Sequence, residues 1–369
     1  MIFGADIAGY DLQLDRSTIF PPADRNNESS PCVTGRFHLA LTRATSIKGI
    51  RARVVGTMKT PRYGMFTPAI HEETTFERSQ NLVFSKTLDS FTMPAGNYEF
   101  PIEISLKGAL LETLTGPGHE YHTYRVEVVV ERRMQWDLAV SEPLRIYQWR
   151  PGGISVLPEK TIEESSNQDI QYHISIPDPF VRHGSVFPVE CWIEPLSEDT
   201  TVASITIRLH EKHDLCFNAT AAESMKYDTN FITWHHDYVI LKEKCDLSPR
   251  TVAQCEERLG MQQVTVPVRL PERPDACSQS FSSRTIKIEH LLVVEIEYQD
   301  REIEGTKKAT QTLPMYIYMA PPSHNEGNQP PPTREIQCFK TDHNCPPSYG
   351  QHELDQMLSG LMETGDGIC

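Results

Sequence analysis

The longest alternating stretch of the sequence runs Ile286-Lys287-Ile288-Glu289-His290-Leu291-Leu292-Val293-Val294-Glu295-Ile296-Glu297-Tyr298. Every second position from Ile286 to Tyr298 belongs to one face of an extended chain, because successive side chains of a strand point to opposite sides. Alternation with a period of two over a short run is typical of a half-buried β-strand. This stretch therefore predicts a fold built from β-strands with one buried face.

Shorter alternating runs recur on both sides of a turn-like segment, Arg150-Pro151-Gly152-Gly153, which we interpret as a linker. The runs before it are Phe37–Leu41, Ile50–Val54, Gly96–Ile104 and Tyr124–Val130. The runs after it are Tyr172–Ile176, Phe187–Ile193, Ile205–Leu209 and Leu313–Met319. Two successive sets of short strands with frequent turns predict an all-β chain with two antiparallel β-sandwiches, at residues 1–152 and 153–320.

Two segments depart from this pattern. Residues 57–80 are polar and are interpreted as a long hairpin loop. The one modest helix signal has Ser248 as N-cap, Pro249 in the first turn and Gly260 as the stop, which predicts a helix in an inserted loop.

Composition excludes some classes of partner and location. The chain has 369 residues and a formal net charge of −15, and it shows no basic stripe, so nucleic acid is not expected as a partner. The nine cysteines are scattered and form no CxxC pair. With neither a signal sequence nor an apolar run near membrane-spanning length, this predicts a cytosolic protein with reduced thiols. The sequons at Asn27 and Asn218 are then interpreted as chance matches.

Composition changes after Pro321, where an acidic, proline-containing tail is predicted to be mostly disordered over residues 321–369. Within it stands Pro346-Pro347-Ser348-Tyr349. Two prolines favour a polyproline II helix with three residues per turn, so Pro346 and Tyr349 fall on one face. WW domains accept this shape in an aromatic groove. We therefore predict that Pro346, Pro347 and Tyr349 bind a WW domain, with Ser348 at the variable position.

No catalytic, cofactor or metal site is predicted from local motifs. His210-Glu211-Lys212-His213 has a histidine spacing of three, whereas the zincin motif needs four on a helix, so we interpret it as a loop pair following a strand. His235 and His236 are adjacent in a predicted strand, so they point to opposite faces and cannot chelate together. No nucleophile elbow or phosphate-binding loop is present.

The order of several stretches resembles the α-arrestins, or arrestin-related trafficking adaptors. In the first half these are Gly35–Leu41, Ile47–Gly56, Ala95–Pro101, Thr123–Val128 and Glu142–Ile146. In the second half they are His183–Val189 and Ile286–Leu292, and the tail segment is Pro346–Gln356. The tail resembles that of filamentous-fungal adaptors that bind a HECT-type ubiquitin ligase.

This resemblance implies two arrestin β-sandwiches and a tail whose motif docks the WW domains of a HECT ligase. The ligase would then attach ubiquitin to a plasma-membrane transporter, which is endocytosed, in carbon catabolite repression. The adaptor would be cytoplasmic and recruited peripherally to the plasma membrane and endosomes. Family members commonly carry more than one such motif, whereas this chain has one complete copy, because Pro330-Pro331-Pro332 lacks a following tyrosine.

Two other interpretations remain open. An arrestin-type vesicle-sorting or scaffold protein would share the body without recruiting a ligase. An enzyme on a β-sandwich would need convergent polar groups in a pocket. Loss of ligase binding on substitution of Tyr349 distinguishes the first hypothesis from both.

Overall fold

The structure is a computed structural model, and it describes residues 7–21, 31–63, 68–148, 163–166, 169–247, 262–300 and 303–321. Two compact units make up this part of the chain. Among the described residues, the first contains the chain up to Thr113 and again from Tyr121 to residue 148. The second contains Leu114–Glu120 and residues 163–320.

The first unit consists of two sheets. One sheet is antiparallel, in the order β1-β3-β7, with β1 at Ile7–Leu14, β3 at Cys32–Leu41 and β7 at Gly96–Ser105. The other has the order β2-β10-β9-β4-β5, at Thr18–Ile19, Leu138–Ile146, His119–Arg132, Thr45–Tyr63 and Pro68–Phe84. β6 (Phe91–Met93) pairs with β4. β8 (Leu114–Gly116) belongs to the second unit and pairs with β9, whose first two residues are also assigned to that unit. The short contact of β2 with β10 is parallel.

The core of the first unit lies between its two sheets. Phe37 and Phe100 come from neighbouring strands of the β1-β3-β7 sheet and stack with ring centroids 6.1 Å apart. They share one buried cluster with Val54 and Val126 of the other sheet. Each fully buried side chain of this size contributes roughly 1.5–3 kcal/mol relative to exposure, so the alternating face supplies the stability of the sandwich.

The second unit repeats this plan. One sheet has the order β11-β12-β14-β17, at Glu163–Ser166, Ile170–Ser175, Val186–Pro195 and Gln262–Arg269. The other has the order β13-β20-β19-β15-β16, at Phe180–Arg182, Ile303–Tyr318, Ile286–Asp300, Thr200–Asn218 and Phe231–Asp246. β18 (Phe281–Ser282) pairs with β19, and β13 runs parallel to β20. The helix α1 (Ala221–Tyr227) precedes β16.

The stretch that opened the sequence analysis forms β19, and its alternating face is buried. Leu292, Val294 and Ile296 are fully buried and share a cluster with Val189 and Ile193 of the facing sheet. The second core therefore also lies between two sheets. The prediction of two β-sandwiches with mainly antiparallel sheets is confirmed, since only the short β2·β10 and β13·β20 contacts among the described pairs are parallel.

The prediction of a long hairpin loop at residues 57–80 is wrong. β4 and β5 continue through this region as a long antiparallel ribbon, in which Thr57 pairs with Thr74 and Thr60 with His71. Polar composition was misleading because cross-strand backbone hydrogen bonds need no apolar side chains. The helix expected after Ser248 and the tail from residue 322 lie outside the described residues. Within the described ranges, no helix has the length and apolar content needed to cross a bilayer.

Candidate functional site

The inward face of β15 changes from apolar to polar halfway along the strand. Leu209 is fully buried, and the next two inward positions, Glu211 and His213, are also fully buried. Glu211 lies directly opposite His290 of β19 in the antiparallel register. The register with β16 shifts between Leu209 and His210, immediately before the polar positions. A carboxylate and two imidazoles therefore lie together inside the second unit.

The interpretation of His210-Glu211-Lys212-His213 as a loop pair is wrong, because all four residues belong to β15. His210 and His213 are three positions apart in a strand, so they lie on opposite faces. His210 is half-buried, and its Nδ1 lies 2.8 Å from Asp237 Oδ1 on β16. His213 points to the interior instead. These two histidines therefore do not form a joint site.

The adjacent histidines of β16 behave as the alternation predicts. His235 is exposed, and its Nδ1 lies 2.7 Å from Asp214 Oδ1. His236 is half-buried, and its ring contacts those of Tyr238 and His119. The two rings face opposite sides of the strand, which confirms that they cannot share a ligand.

The Glu211 carboxylate accepts hydrogen bonds on both oxygens. His213 Nε2 lies 2.6 Å from Oε1, and His290 Nε2 lies 3.2 Å from Oε2. The backbone N–H of Ser278 also donates to Oε2, at 2.8 Å. Burial alone raises the pKa of the Glu211 carboxyl, but the hydrogen bonds from His213 and His290 outweigh it, so the pKa is held well below its ordinary value. The carboxylate is therefore ionised.

A loop before β18 brings a cysteine to this carboxylate. Cys277 is fully buried, and its Sγ lies 3.9 Å from His290 Nε2. Burial, followed by the nearby negative charge of Glu211, raises the pKa of the Cys277 thiol. His183 Nε2–H donates to the Cys277 carbonyl oxygen at 3.0 Å, which fixes the loop. The donor atoms of Glu211, Cys277 and His290 all lie within 4.8 Å of one another.

The second nitrogen of His290 is also held. Its Nδ1 lies 2.8 Å from Ser280 Oγ, and that oxygen accepts the backbone N–H of Ile317 at 2.9 Å. The Ser280 N–H in turn donates to the Ile317 carbonyl oxygen at 2.8 Å. The loop is thereby fastened to β20, and the imidazole ring is fixed in orientation from both ends.

The segment Leu114–Glu120, which belongs to the same unit, packs beside the carboxylate. Ser278 Oγ–H donates to the Thr115 carbonyl oxygen at 2.8 Å. A Cβ atom at Gly116 would lie 3.0 Å from Glu211 Oε1 and would collide with Ser278 Oγ. Glycine is therefore required here by the close approach of the backbone, since any side chain would displace the loop.

Aromatic rings border His213 on its outer side. The rings of His119 and Tyr238 have centroids 6.5 and 5.2 Å from that of His213. Burial, then the proximity of His236 and His213, lowers the pKa of His119. The neutral imidazole is therefore favoured at His119.

Chemically, the buried group combines one carboxylate, one thiol and imidazole nitrogens in a site that requires a compensating positive charge. A proton on an imidazole or a divalent cation can supply this charge.

Sequence analysis missed Glu211, Cys277 and His290 as members of one site. The available signal was the presence of polar residues at inward positions of Ile205–Leu215 and Ile286–Tyr298, where the alternation requires apolar side chains. The predicted WW-binding residues Pro346, Pro347 and Tyr349 lie outside the described residues.

Comparison with known proteins identifies the fold. Residues 166–322 match the arrestin (or S-antigen) C-terminal domain, and this range contains the strands β12 to β20 of the second sandwich. The buried Glu211 group therefore lies inside the part of the chain that is similar to the arrestin C-terminal domain, on the β13-β20-β19-β15-β16 sheet.

The chain is also similar to several curated fungal proteins. It is 25% identical to a probable HECT-type ubiquitin ligase-interacting protein creD of Aspergillus oryzae, over 96% of this chain and 61% of the relative. The corresponding protein of Aspergillus terreus is 25% identical over 96% of this chain and 63% of the relative. The HECT-type ubiquitin ligase-interacting protein creD of Emericella nidulans is 24% identical, over 96% and 61%. The chain thus spans about three fifths of the length of these relatives.

Proposed function

We propose that this chain is a non-enzymatic adaptor that recruits a HECT-type ubiquitin ligase with WW domains to plasma-membrane transporters. The observation that carries the proposal is the similarity over 96% of the chain to proteins described as HECT-type ubiquitin ligase-interacting. The arrestin C-terminal domain match supports the adaptor class, because that domain is a β-sandwich scaffold. In this proposal the two sandwiches select the cargo.

The ligase-binding element is Pro346-Pro347-Ser348-Tyr349. The two prolines limit the backbone freedom that is lost on binding, and the Tyr349 ring supplies the aromatic anchor. The ligase then transfers ubiquitin to the transporter, which is removed by endocytosis. The adaptor acts from the cytoplasm and is recruited peripherally to the plasma membrane and endosomes.

Because the chain resembles fungal adaptors of carbon catabolite repression, we propose that it acts in this response. Under this proposal the cargo is a permease whose abundance must fall when a preferred carbon source is present. A vesicle-sorting or scaffold protein without ligase recruitment is the competing function, and it makes no use of Tyr349.

The test is binding of the full chain to the tandem WW domains of the host ligase, measured by titration. Tyr349→Ala should weaken binding by roughly 30-fold, the ratio equivalent to loss of a hot spot of about 2 kcal/mol. Pro331→Ala is the matched control, because it alters a proline in the same tail that no tyrosine follows. Equal binding by wild type and Tyr349→Ala would contradict the proposal. Absence of binding by wild type would favour the sorting function.

Transfer of ubiquitin provides the second arm of the test. Ligase, wild-type adaptor and a candidate permease in membranes should give ubiquitinated permease, and Tyr349→Ala should reduce this product to the level seen without adaptor. Cargo binding itself should survive the substitution, since the proposal assigns cargo selection to the sandwiches.

A further inference from the structure

We propose that Glu211, Cys277 and His290 form a zinc site inside the second unit. The ligand atoms are a carboxylate oxygen of Glu211, Sγ of Cys277 and Nε2 of His290. They come from β15, from the loop before β18 and from β19, three segments that are distant in the sequence. This proposal is independent of ligase recruitment, and it uses no residue of the tail.

The spacing of the donor atoms fits a tetrahedral ion. Zinc bonds of about 2.0–2.1 Å to nitrogen or oxygen and about 2.3 Å to sulfur place tetrahedral N···O neighbours about 3.3 Å apart and N···S neighbours about 3.6 Å apart. The His290 Nε2 to Glu211 Oε2 distance is 3.2 Å, and the His290 Nε2 to Cys277 Sγ distance is 3.9 Å. All three donor atoms lie within 4.8 Å of one another, so the side chains would have to close by at most about 1 Å around an ion.

Charge balance also favours a divalent cation. Glu211 is fully buried, and its ion-pair partners among the described residues are His213 and His290, with no lysine or arginine paired to it there. One carboxylate and one thiolate neutralise a doubly charged ion, and a neutral imidazole completes the set. On binding, the Cys277 S–H bond breaks, a Zn–S bond forms and the proton passes to solvent.

The groups around the donors have the arrangement that holds metal ligands in place. Ligation through His290 Nε2 requires the ring proton on Nδ1, and Ser280 Oγ, 2.8 Å away, can accept it. His213 and the Ser278 N–H bind the carboxylate and fix its orientation. His183 fixes the Cys277 backbone through its carbonyl oxygen. Each of the three ligands is thus supported by at least one further hydrogen bond.

The donor types indicate zinc in preference to the hard cations. Magnesium and calcium bind oxygen ligands, and a thiolate with an imidazole does not suit either of them. Zinc binds cysteine, histidine and carboxylate in four-coordinate sites, and three protein donors leave one position for the second Glu211 oxygen or a water molecule.

The first experiment measures zinc content of the purified full chain after exposure to zinc and removal of loosely bound ions. Wild type should retain one zinc ion per chain, and Cys277→Ser and His290→Gln should each lose it. Cys191→Ser is the matched control, because Cys191 is equally buried in the same core cluster but lies on β14, in the other sheet of the sandwich. Ser280→Ala should lower zinc affinity by about 10–100-fold while keeping the stoichiometry.

The second experiment needs no variant, so misfolding cannot affect it. X-ray absorption of the zinc-loaded wild type should show one sulfur at about 2.3 Å with nitrogen or oxygen ligands at about 2.0–2.1 Å. Absence of bound zinc, a sulfur-free shell, a shell with several sulfurs, or full zinc retention by folded Cys277→Ser would each overturn the proposal.

Discussion

His213 Nε2 lies 2.6 Å from Glu211 Oε1, and both side chains are fully buried although they are only two residues apart in β15. Residues two apart in a strand share a face, so the sequence itself places this acid beside this imidazole. The pair takes the place of apolar side chains at two inward positions of the sheet. It therefore makes the sandwich depend on polar contacts as well as on apolar burial.

We expect Glu211→Gln to destabilise the second unit. The amide keeps the shape of the side chain but replaces charge-assisted hydrogen bonds from His213 and His290 with neutral ones, at a cost of about 1.5–3 kcal/mol. The measurement is urea unfolding followed by near-ultraviolet circular dichroism. Glu289→Gln is the control, since Glu289 is exposed on the opposite face of β19, where it pairs with Lys287. Equal unfolding free energies for the two variants would contradict the role given to the buried carboxylate.

Gly116→Ala should be destabilising because the new methyl group would meet Ser278 Oγ and Glu211 Oε1. The loop must then move, which weakens the 2.8 Å hydrogen bond from the Ser278 N–H to Glu211, and overpacking of this kind costs about 1–3 kcal/mol. Gly9→Ala is the control, because no atom lies within 4 Å of the added Cβ there. Thermal unfolding should separate the two, and an unchanged midpoint for Gly116→Ala would refute the packing argument.

The fold could be predicted largely from alternation, whereas the buried site could not. The apolar face from Ile286 to Tyr298 fixes which side of β19 is buried, and this requires no knowledge of its partners. The contact of Glu211 with His290 depends on the register of two strands whose residues are 79 positions apart. Local spacing carries no information about that register. Cys277 adds a loop residue, for which no periodicity exists.

The polar region at residues 57–80 shows a second limit of sequence analysis. The β4–β5 ribbon is stabilised by backbone pairing, as at Thr57 with Thr74. Thr57 and Thr60 of β4 are buried, whereas most side chains of β5 from residue 70 to residue 79 are exposed. Helix α1 was missed although its signal is present. Thr220 and Glu223, three residues apart, form a capping box.

Thr220→Ala should therefore melt α1 without unfolding the sandwich. Thr220 Oγ1 accepts the Glu223 N–H at 3.3 Å, and the Glu223 carboxylate accepts the Thr220 N–H at 2.8 Å. Loss of such a cap costs about 0.5–2 kcal/mol, which is large for a helix of seven residues. Hydrogen exchange of the α1 amides should accelerate, whereas Met225→Ala, at an exposed position of the same helix, should leave exchange nearly unchanged. Equal protection in both variants would contradict this prediction.

The acid sensitivity of the second unit should depend on Glu297 of β19. Its carboxylate contacts side chains of three other strands, β15, β16 and β20, on the outer face of the sheet. Hydrogen bonds from Ser204, Lys308 and Lys244 lower the pKa of Glu297 from its ordinary value to about 2. Ser204 Oγ lies 2.7 Å from the carboxylate, and the Lys308 and Lys244 Nζ atoms lie 3.1 and 3.2 Å from it. A carboxyl with a depressed pKa stabilises the folded state above its unfolded pKa, and this contribution is lost as pH falls toward the folded value.

We therefore expect the thermal midpoint of wild type to fall between about pH 4.5 and about pH 2 more steeply than that of Glu297→Gln. The variant should be slightly less stable than wild type at neutral pH, and the difference should shrink with acidification, because the protonated glutamic acid resembles glutamine. Glu198→Gln, at an exposed position away from these contacts in the loop before β15, should follow the wild-type curve. A difference between wild type and Glu297→Gln that grows on acidification would show that the Ser204, Lys308 and Lys244 contacts do not favour the ionised carboxylate.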